Sequence, residues 1–409
     1  MNILVLNAGS SSQKCALYRL NGPPPDAAPP PVWEAHADGA QLRVRTDAGA
    51  AYTETLLSAA PAEALPHLLK TLWDGPAAVL NAPDEVAVVG HRVVHGGRDL
   101  REPTVLTPEV EADLAELSAL APAHNPAALA GVEVARQTFA HAPQVAVFDT
   151  AFHATLPDAA AVYPGPYRWA DAGLRRYGFH GISHAYAAGR AAELLGRPLS
   201  ELRLVTCHLG NGCSLAAVRG GRSVDTTMGF TPLEGLMMGT RSGSVDPGLL
   251  LYLLREEGLS ADELAGTLNR ESGLKGLSGL SGDLREVSAA ADAGDARAEL
   301  ALAVYVHRIR FYIGAMLPSL GGLDALVFTG GVGENSARVR LEVCAAFGFL
   351  GLELDTAKNE ALPSDRPFDR DVAATSSRVR ALVVRAREEW AIARSCYTVA
   401  GAVAAGRKG

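Results

Sequence analysis

Two segments that lie about 200 residues apart share one strand–turn–strand pattern, and this repeat constrains the fold most strongly. The segments are ILVLNAGSSSQKCALYR and RLVTCHLGNGCSLAAVR, each with an apolar strand, a turn of small residues and a second apolar strand. When their glycines are aligned, Gly9 matches Gly210 and Asn7 falls opposite His208. Such turns can direct backbone N–H groups at a phosphate. The repeat predicts a duplicated α/β unit with a nucleotide between its halves, and chance similarity between two hairpins is the alternative.

The rest of the chain alternates strand and helix patterns. Apolar strands that end in polar or glycine-rich loops are predicted at Glu85–Val89, Gln144–Phe148, Leu202–Cys207 and Asp324–Phe328. Helical periodicity is found at Pro108–Leu120 and Glu299–Leu317. This alternation predicts an α/β protein with mixed sheets.

A proline-rich segment interrupts the early part of the chain. Residues 22–32 contain two proline triplets and therefore form neither a helix nor a central strand. They predict an exposed loop of polyproline II character, inserted at the surface. A docking motif is the alternative interpretation.

Three glycine-rich turns follow predicted strands, namely NAGSSSQK, HLGNG and GGVGENS. Open α/β sheets bind ligands at strand ends, and small residues let the backbone approach a phosphate closely. Serine hydroxyls and Lys14 add hydrogen-bond donors. Neither GxxxxGK[ST] nor GxGxxG occurs, which excludes a P-loop and a dinucleotide fingerprint. Three turns in the same topological position favour phosphate binding over three ordinary tight turns.

Composition limits the partners of the chain. Its 409 residues are enough for two or more domains and for a large core without disulfides. The 37 Lys and Arg residues against 45 Asp and Glu residues give a net charge of −8. This balance argues against a general binder of nucleic acid or of anionic membranes. Bound anions must therefore be held by local cations and backbone N–H groups.

The cysteines and apolar runs predict a cytoplasmic protein. The five cysteines are scattered and form no CxxC motif, so neither a disulfide framework nor a cysteine zinc site is expected. The first residues, MNILVLNAGSSS, lack the features of a secretory signal. The best apolar run, Leu300–Leu317, is interrupted by His307, Arg308 and Arg310, so no bilayer span is expected.

Three cationic side chains stand beside glycines. Arg92 lies in GHRVVHGG, His180 in RRYGFHGISH and Arg241 in MMGTRSGSVDPG. Glycine packs poorly and gives no structural reason for a cation, whereas the planar fork of Arg donates two parallel hydrogen bonds to phosphate or carboxylate. A solvated surface residue is the alternative for each Arg. His180 and His184 have the spacing of a helical metal pair, but neither an acidic nor a third ligand is nearby in sequence.

Carboxylates supply a third candidate group. Asp149 follows the predicted strand QVAVF at its C-terminal end, where catalytic or Mg²⁺-linked carboxylates are frequent. Glu388 and Glu389 lie on a helical pattern near the end of the chain. Mg²⁺ needs only one or two carboxylates when substrate phosphates provide further oxygens. An exposed helix surface is the alternative for both glutamates, and the residues alone favour it.

Ten motifs occur in the order and at the spacing of one family: NAGSSSxK, HRVVHGG, AHNP, FDTAFH, RRYGFHGxSH, HLGNG, GxMMGTRSG, SGLSGDLR, GGVGEN and a late EE pair. Over nearly its whole length the chain resembles the acetate kinases, of the acetate and sugar kinase/Hsp70/actin superfamily. The resemblance implies two actin-like (ribonuclease H-like) α/β domains with mixed sheets, an active-site cleft between them and a homodimer. Residues 1–150 with 385–409 would form the first domain, and residues 151–384 the second, nucleotide-binding one.

The resemblance implies reversible transfer of the γ-phosphoryl group of ATP to acetate, with Mg²⁺ or Mn²⁺, giving acetyl phosphate and ADP. Acetate is already ionised at neutral pH and needs no general base, so the task is to stabilise charge. Asp149 is therefore expected to orient Arg or Mg²⁺ rather than to remove a proton.

The resemblance also assigns roles to matching positions. Asn7 and Glu388 would hold Mg²⁺, Asp149 would be catalytic, and His180 and Arg241 would stabilise the transition state. The substrate would contact Arg92, Val94, Ala123, His124, Phe179 and Pro232. The nucleotide would contact Lys14, His208, Leu209, Gly210, Asn211, Gly212, Asp283, Leu284, Arg285, Gly331, Val332, Gly333, Glu334 and Asn335.

Two departures from the family pattern leave alternatives open. Ala123 stands where acetate-specific members tend to carry Leu, which makes room for about two or three carbons and favours propionate. A propionate or butyrate kinase is therefore one alternative. VVRAREEW replaces a family segment like IPTNEEL, which weakens the assignment of Glu388. An ATP-binding conformational module that forms no acyl phosphate is an alternative of another class, although the cations at the acceptor side argue against it.

Overall fold

A computed structural model describes residues 1–8, 12–56, 58, 61–119, 125–360 and 369–406. The strands are β1 Asn2–Ala8, β2 Ser12–Arg19, β3 Trp33–Asp38, β4 Gln41–Thr46, β5 Ala51–Thr55, β6 Val86–Val93, β7 Thr104–Val105, β8 Gln144–Phe148, β9 Arg203–Leu209, β10 Cys213–Arg219, β11 Arg222–Thr226, β12 Ala325–Thr329, β13 Arg370–Asp371 and β14 Arg380–Val383. The helices are α1 Pro61–Lys70, α2 Pro108–Glu116, α3 Asn125–Thr138, α4 Asp158–Ala161, α5 Arg168–Asp171, α6 Gly181–Leu195, α7 Pro247–Arg255, α8 Ala261–Gly266, α9 Gly273–Ser278, α10 Leu284–Asp292, α11 Ala296–Leu320, α12 Gly330–Asn335, α13 Ala337–Ala345, α14 Thr356–Glu360 and α15 Glu388–Gly406.

The chain forms two compact units. Unit 1 comprises Met1–Ala151 and Arg387–Gly409, and unit 2 comprises Phe152–Ala386. Each unit is built on one sheet with both parallel and antiparallel strand pairs, and helices pack on that sheet. The predicted α/β class with mixed sheets is confirmed.

The sheet of unit 1 has eight strands in the order β5-β4-β3-β2-β1-β6-β8-β7. Strands β1 to β5 pair antiparallel in succession, and β1, β6 and β8 run parallel. The predicted first hairpin is β1–β2, in which Asn7 pairs with Lys14. Its turn, residues 9–11, lies outside the described residues.

The sheet of unit 2 repeats this plan. Its strand order is β11-β10-β9-β12-β14-β13, with β9 to β11 antiparallel and β9, β12 and β14 parallel. Five neighbouring strands therefore match β3-β2-β1-β6-β8 of unit 1 in both order and direction. Asn7 is the penultimate residue of β1 and His208 that of β9, as the glycine alignment predicts. The predicted duplication is confirmed, and chance similarity of two hairpins is the wrong alternative.

Helices cover both faces of the unit 1 sheet. Helices α1 and α3 pack on the face that carries Leu4 and Val89. Helix α15 packs on β1 and β6, where a Cβ atom on Gly90 would come within 2.5 Å of Cys396 Sγ. Because successive strand residues face opposite sides, α15 lies on the face opposite α1 and α3. The last helix of the chain thus returns to the first strand.

Helix α11 is the long core helix of unit 2. It packs against α9, α10 and α13 and against β9, β10 and β11, and it buries Tyr305 and Ile309. Among the described residues it is also the one helix with the length and apolar composition of a membrane span, a test that core helices pass as well. The charged side chains of Arg308 and Arg310 lie within this helix. They donate hydrogen bonds to the backbone carbonyl groups of Ser244 and Glu342, which lie outside it. Its packing is that of a core helix.

Local predictions are confirmed at two places and wrong at one. Strand β8 has the predicted bounds, and residues 22–32 contain no helix, strand or buried residue. The glycine-rich turn predicted at GGVGENS is instead a helix, since Gly330–Asn335 form α12. Gly330, with φ +78°, turns the chain directly out of β12, and its N–H donates to the Glu334 carboxylate at 3.1 Å. This side-chain bond closes the first turn of α12.

Candidate active site

Three parallel strands of unit 1 bring polar side chains to one sheet edge. Asn7 lies near the end of β1, Arg92 near the end of β6, and Asp149 directly follows β8. Because these strands are parallel neighbours, their carboxyl ends meet at the same edge. The Asp149 N–H donates to the Val93 carbonyl oxygen at 3.0 Å and so extends the pairing beyond the strand. Ligands bind at this edge in open α/β sheets.

Arg92 connects these side chains. Its Nε and Nη2 donate to the two carboxylate oxygens of Asp149 at 3.0 and 2.6 Å, and its Nη1 donates to Asn7 Oδ1 at 3.2 Å. The Asp149 side chain is 2% exposed and that of Arg92 16%. Burial by itself lowers the pKa of Arg92, but nearby carboxylates, Asp149 foremost, outweigh it and raise the pKa above its usual value. Arg92 is therefore a permanent cation, and both oxygens of Asp149 are engaged.

The late glutamate pair joins the same group. Glu388 and Glu389 begin α15, and Asn7 Nδ2 donates to Glu388 Oε2 at 3.2 Å and to Glu389 Oε1 at 3.0 Å. Both glutamates are half-buried. The alternative of two glutamates on an exposed helix surface is therefore wrong. Negative charge in the first turn of a helix is favourable because it complements the helix dipole. Unit 1 thus gathers one cation, three carboxylates and one amide.

In unit 2, His180 has a strained backbone at the start of α6. With φ +56° it is the only non-glycine residue in the left-handed region among the described residues. Such conformations cost about 1–3 kcal/mol and cluster at functional sites. Its Nδ1 lies 2.9 Å from Ser214 Oγ, and its ring stacks on that of His208 at a centroid distance of 4.3 Å.

His184 makes two hydrogen bonds within the core of unit 2. Its Nδ1 lies 2.7 Å from Thr206 Oγ1, and its Nε2 lies 2.7 Å from Ser214 Oγ. Burial, reinforced by two neighbouring histidines, lowers the pKa of His184 well below its usual value. His180 and His184 thus share a serine hydroxyl. The part of the chain that the structure describes contains no cluster of three His, Cys, Asp or Glu residues able to hold a metal.

Arg241 lies beside the loop that follows β9. Its Nη1 donates to the carbonyl oxygen of Pro232 at 3.0 Å. A Cβ atom on Gly212 would lie 3.4 Å from His180 Cε1 and 3.7 Å from Arg241 Nη1. Burial lowers the pKa of Arg241, yet Arg stays protonated at neutral pH. The two residues predicted to stabilise the transition state in unit 2 therefore flank one glycine.

Unit 2 also contains a cavity of about 930 Å³ at the HLGNG loop and at α10 and α12. Predicted nucleotide residues in its lining are Gly210, Asn211, Asp283, Leu284, Arg285, Gly331, Val332 and Asn335. Lining residues that the sequence analysis missed include Leu274, Gly282, Ser288, Asp292, Ser336, Ala337 and Arg338. Ser336 could have been found, because it follows GGVGEN directly and caps α13. The volume is in the range of small-molecule sites and can hold a nucleotide.

Other predicted nucleotide residues lie elsewhere in unit 2. His208 stacks on His180, Leu209 is fully buried, and Gly212 lies between His180 and Arg241. A Cβ atom on Gly333 would lie 3.4 Å from the backbone of β12, so glycine permits close packing there. Glu334 accepts hydrogen bonds from two backbone N–H groups, those of Gly330 and Ala386, at 3.1 and 2.8 Å. These contacts shape the loops around the cavity.

Lys14 belongs to unit 1 and lines a different cavity of about 590 Å³. Strand pairing places it opposite His36, which is opposite Arg43. Burial, followed by Lys14, lowers the pKa of His36. Glu389 also lines this cavity, so it borders the Asn7 group.

The predicted acceptor pocket is described only in part. Val94 is buried behind β6 in unit 1, while Phe179 is buried and Pro232 half-buried in unit 2. Ala123 and His124 lie outside the described residues.

Comparison with known proteins identifies the family. The family model described as the acetokinase family matches residues 2–394. The chain belongs to the acetokinase family. Acetate kinases from a Cyanothece species and from Gloeobacter violaceus are each 56% identical to it, over 403 and 405 residues, covering 97% of this chain and 98% and 99% of theirs. These relatives are consistent with the ten motifs of the sequence.

Solved structures of the acetokinase family have a similar fold. The crystal structure of Porphyromonas gingivalis acetate kinase has a TM-score of 0.88 and 39% identity, covering 97% of this chain and 99% of that one. A propionate kinase from Francisella tularensis has a TM-score of 0.87 and 35% identity with the same coverage. The chain is therefore an enzyme, a kinase, and its family implies ATP and ADP as substrates together with a divalent metal.

The residues of unit 1 fit such a metal. The Asn7 amide nitrogen donates to Glu388 Oε2 at 3.2 Å, and the Asn7 amide oxygen accepts from Arg92 Nη1. Mg²⁺ prefers oxygen ligands, which the Glu388 carboxylate and the Asn7 amide oxygen would supply. One or two protein ligands suffice, because Mg²⁺ keeps several waters and binds substrate phosphates.

Proposed function

We propose that this chain transfers the γ-phosphoryl group of ATP to acetate by direct in-line transfer, reversibly, giving acetyl phosphate and ADP. The observation that carries the choice of acceptor is the double hydrogen bond between Arg92 and Asp149. A kinase that acts on a hydroxyl needs a carboxylate to accept a proton, whereas both oxygens of Asp149 are held by Arg92. An acceptor that is already ionised needs no such base.

Arg92 retains donors for this acceptor. A guanidinium carries five N–H groups, of which three are used in the described contacts with Asp149 and Asn7. The remaining N–H groups on Nη1 and Nη2 can bind the acceptor carboxylate. Asp149 then keeps the guanidinium in place and compensates its charge in a buried environment.

The cationic side chains reduce the charge repulsion between the two anionic substrates. Phosphoryl transfer between two anions is limited mainly by positioning and by charge on the equatorial oxygens. We propose that Arg241 and His180 of unit 2 and Arg92 of unit 1 stabilise this negative charge. Mg²⁺ held by Asn7 and Glu388, with Mn²⁺ as a substitute, would neutralise phosphate charge. The cavity at α10 and α12 would bind ATP.

A hydroxamate assay tests the reaction. Wild-type protein with ATP, Mg²⁺ and acetate should yield acetyl hydroxamate, and Arg241→Ala should lower kcat by about 10²–10³-fold, as loss of a transition-state donor does. Arg222→Ala is the matched control because Arg222 is an exposed arginine of the same unit. ATP hydrolysis without hydroxamate would favour a conformational ATP-binding module. Equal activity of Arg241→Ala would remove Arg241 from the mechanism.

Acceptor length is the finer question. The propionate kinase relative and Ala123 both favour a pocket that admits one more carbon. A comparison of kcat/KM for acetate, propionate and butyrate distinguishes the three acids. A higher value for propionate would make this chain a propionate kinase with the same chemistry.

We also propose a homodimer that buries α7. This helix, PGLLLYLLR, has no buried residue, and Leu249, Leu251 and Tyr252 are each about half exposed. Exposed apolar surface of this kind marks interaction sites. Leu251→Glu should shift the mass in solution from dimer to monomer, as measured by light scattering. Leu341→Glu, at an exposed position of α13, should leave the dimer intact. A wild-type monomer would contradict the proposal.

The cytoplasm is our proposed compartment. All five cysteines are buried and unpaired, which suits a reducing environment.

A further inference from the structure

We propose that Ser214, oriented by His184, is a positioning residue that fixes the ring and the proton position of His180. This inference rests on the proposed role of His180 at the transferring phosphoryl group. It concerns four side chains that form one hydrogen-bonded series in unit 2, namely Thr206, His184, Ser214 and His180.

The direction of the series is set at its buried end. The Thr206 hydroxyl donates to the carbonyl oxygen of Ala216 at 3.4 Å, and a carbonyl can only accept. The hydroxyl has one hydrogen and cannot donate to both partners, so we infer that Thr206 Oγ1 accepts from His184 Nδ1, 2.7 Å away. His184 therefore carries its hydrogen on Nδ1. Thr206, His184 and Ser214 are all fully buried, so water does not compete for these bonds.

The second ring nitrogen of His184, Nε2, determines the direction of the Ser214 hydroxyl hydrogen bond. A neutral histidine with hydrogen on Nδ1 has a lone pair on Nε2, and burial keeps His184 neutral. The Ser214 hydroxyl consequently donates to His184 Nε2 at 2.7 Å. Its oxygen is then left to accept from His180 Nδ1 at 2.9 Å. Each hydrogen bond fixes the direction of the next one.

The consequence for His180 is a defined ring with a defined donor. With Nδ1–H held by Ser214, Nε2 is the nitrogen that faces the HLGNG loop, 3.5 Å from where a Cβ atom of Gly212 would lie. The ring of His208 stacks on His180, and Arg241 and His180 both lie beside Gly212. With Nδ1 bonded to Ser214, Nε2 is the ring nitrogen left to meet the transferring phosphoryl group.

Two substitutions at Ser214 separate hydrogen bonding from packing. Ser214→Ala removes the acceptor, and Ser214→Cys fills the space with a weak acceptor. Both should lower kcat by roughly 10–100-fold, the range seen when hydrogen-bonded outer partners of site ligands are lost. KM for ATP should stay within about twofold, because neither variant touches the nucleotide cavity. Wild-type kcat in either variant would overturn the proposal.

Ser223→Ala is the matched control. Ser223 is a fully buried serine that bonds a different histidine, His153 Nδ1, at 2.8 Å. Its loss removes an equivalent serine–histidine bond and should leave kcat nearly unchanged. An equal loss of kcat in this control would mean that any buried serine–histidine bond in unit 2 supports the fold, and the positioning role would be withdrawn.

Histidine tautomers give a readout independent of activity and of mutant folding. Nitrogen-15 NMR of wild-type protein should show His184 with hydrogen on Nδ1 only and His180 with hydrogen on Nδ1. A His184 protonated on Nε2 would reverse the series and overturn the proposal. Absence of acyl hydroxamate would instead refute the proposed function while leaving the tautomer result intact.

Discussion

At the scale of single residues, the pairing of Arg92 with Asp149 shapes the candidate site. The Arg92 side chain is only 16% exposed, so its positive charge requires a fixed negative partner. The planar guanidinium binds both carboxylate oxygens of Asp149 at once. The same contact that stabilises unit 1 therefore engages both carboxylate oxygens of Asp149.

Asp149→Asn should weaken both stability and activity. The neutral amide leaves Arg92 without its bidentate partner, and breaking a buried ion pair costs about 3–5 kcal/mol. Urea unfolding should report that loss, and kcat should fall by about 10²-fold or more, by analogy with lost transition-state donors. Asp74→Asn, which breaks the exposed Lys70–Asp74 pair, should change stability by less than about 1 kcal/mol. Unchanged stability of Asp149→Asn would show that Arg92 is compensated by other groups.

Buried neutral histidines make the fold sensitive to mild acid. Burial lowers the pKa values of His91, His95 and His153 to about 4, and it lowers the pKa of His184 well below its usual value. Unfolded histidine titrates near 6.5, so the unfolded chain binds more protons below that pH. The free energy of unfolding should therefore fall between about pH 6.5 and pH 4, by roughly 1.4 kcal/mol per pH unit for each histidine.

Urea titrations at pH 7, 6 and 5 measure this slope. His91→Gln removes one titrating group and should give a shallower dependence. A slope that does not change in this variant would exclude His91 as a contributor.

The polar residues at the strand ends could be predicted from the sequence. Asn7, Arg92 and Asp149 follow apolar strands, and parallel neighbours bring such ends together. Ser214 was not readable, because it is an ordinary small residue inside an apolar strand. The role that we propose for it depends on two histidines that converge on it, His180 just before α6 and His184 within α6, which is a property of packing.

At the scale of elements, helix α12 depends on a buried arginine. Arg340 is fully buried, and its Nη1 donates to the carbonyl oxygens of Gly333 and Glu334, both at 2.8 Å. Its Nε and Nη2 bond Asn359. Burial, together with Arg370, lowers the pKa of Arg340 to about 10, so it is charged at neutral pH. This cation satisfies the last carbonyl groups of a six-residue helix that lines the cavity.

Arg340→Lys should loosen α12, because an ammonium group cannot bridge all these acceptors. KM for ATP should rise by about tenfold, the equivalent of about 1.4 kcal/mol, while KM for acetate stays unchanged. Initial-rate titrations of both substrates measure the split, with Arg222→Lys as the control. A lower melting temperature with an unchanged KM for ATP would make Arg340 a purely structural residue.

Strand elements were predicted better than glycine-rich turns. Strand β8 is recovered with its bounds, since the apolar run VAVF between Gln144 and Asp149 leaves little choice. The helix at GGVGEN was missed because two distant groups stabilise it. The Glu334 carboxylate closes its start, and Arg340 satisfies its end. Glycine propensity alone favours a turn.

At the scale of the whole molecule, all five cysteines are buried. Each of the five is at most 2% exposed, and burial raises their pKa values. Thiolate is the reactive form, so the native protein should react slowly with a disulfide reagent such as Ellman's reagent. Addition of denaturant should release five thiols per chain. Rapid reaction of the native protein would indicate local opening around one cysteine.

The duplicated architecture was predictable from one repeat, because two hairpins with matching glycines imply matching sheets. The contribution of the last helix was less accessible. Helix α15 packs on β1 and β6 through close contact at Gly90, a position that carries no signal in the sequence for its distant partner.

That return of the last helix has a consequence during synthesis. A nascent chain that has emerged as far as residue 386 already contains every segment of unit 2. The first sheet, although translated earlier, still lacks the cover for one face and both glutamates that Asn7 contacts. The second half of the repeat is thus translated in full before the first, and Arg92 acquires its full set of neighbours only after α15 has been translated.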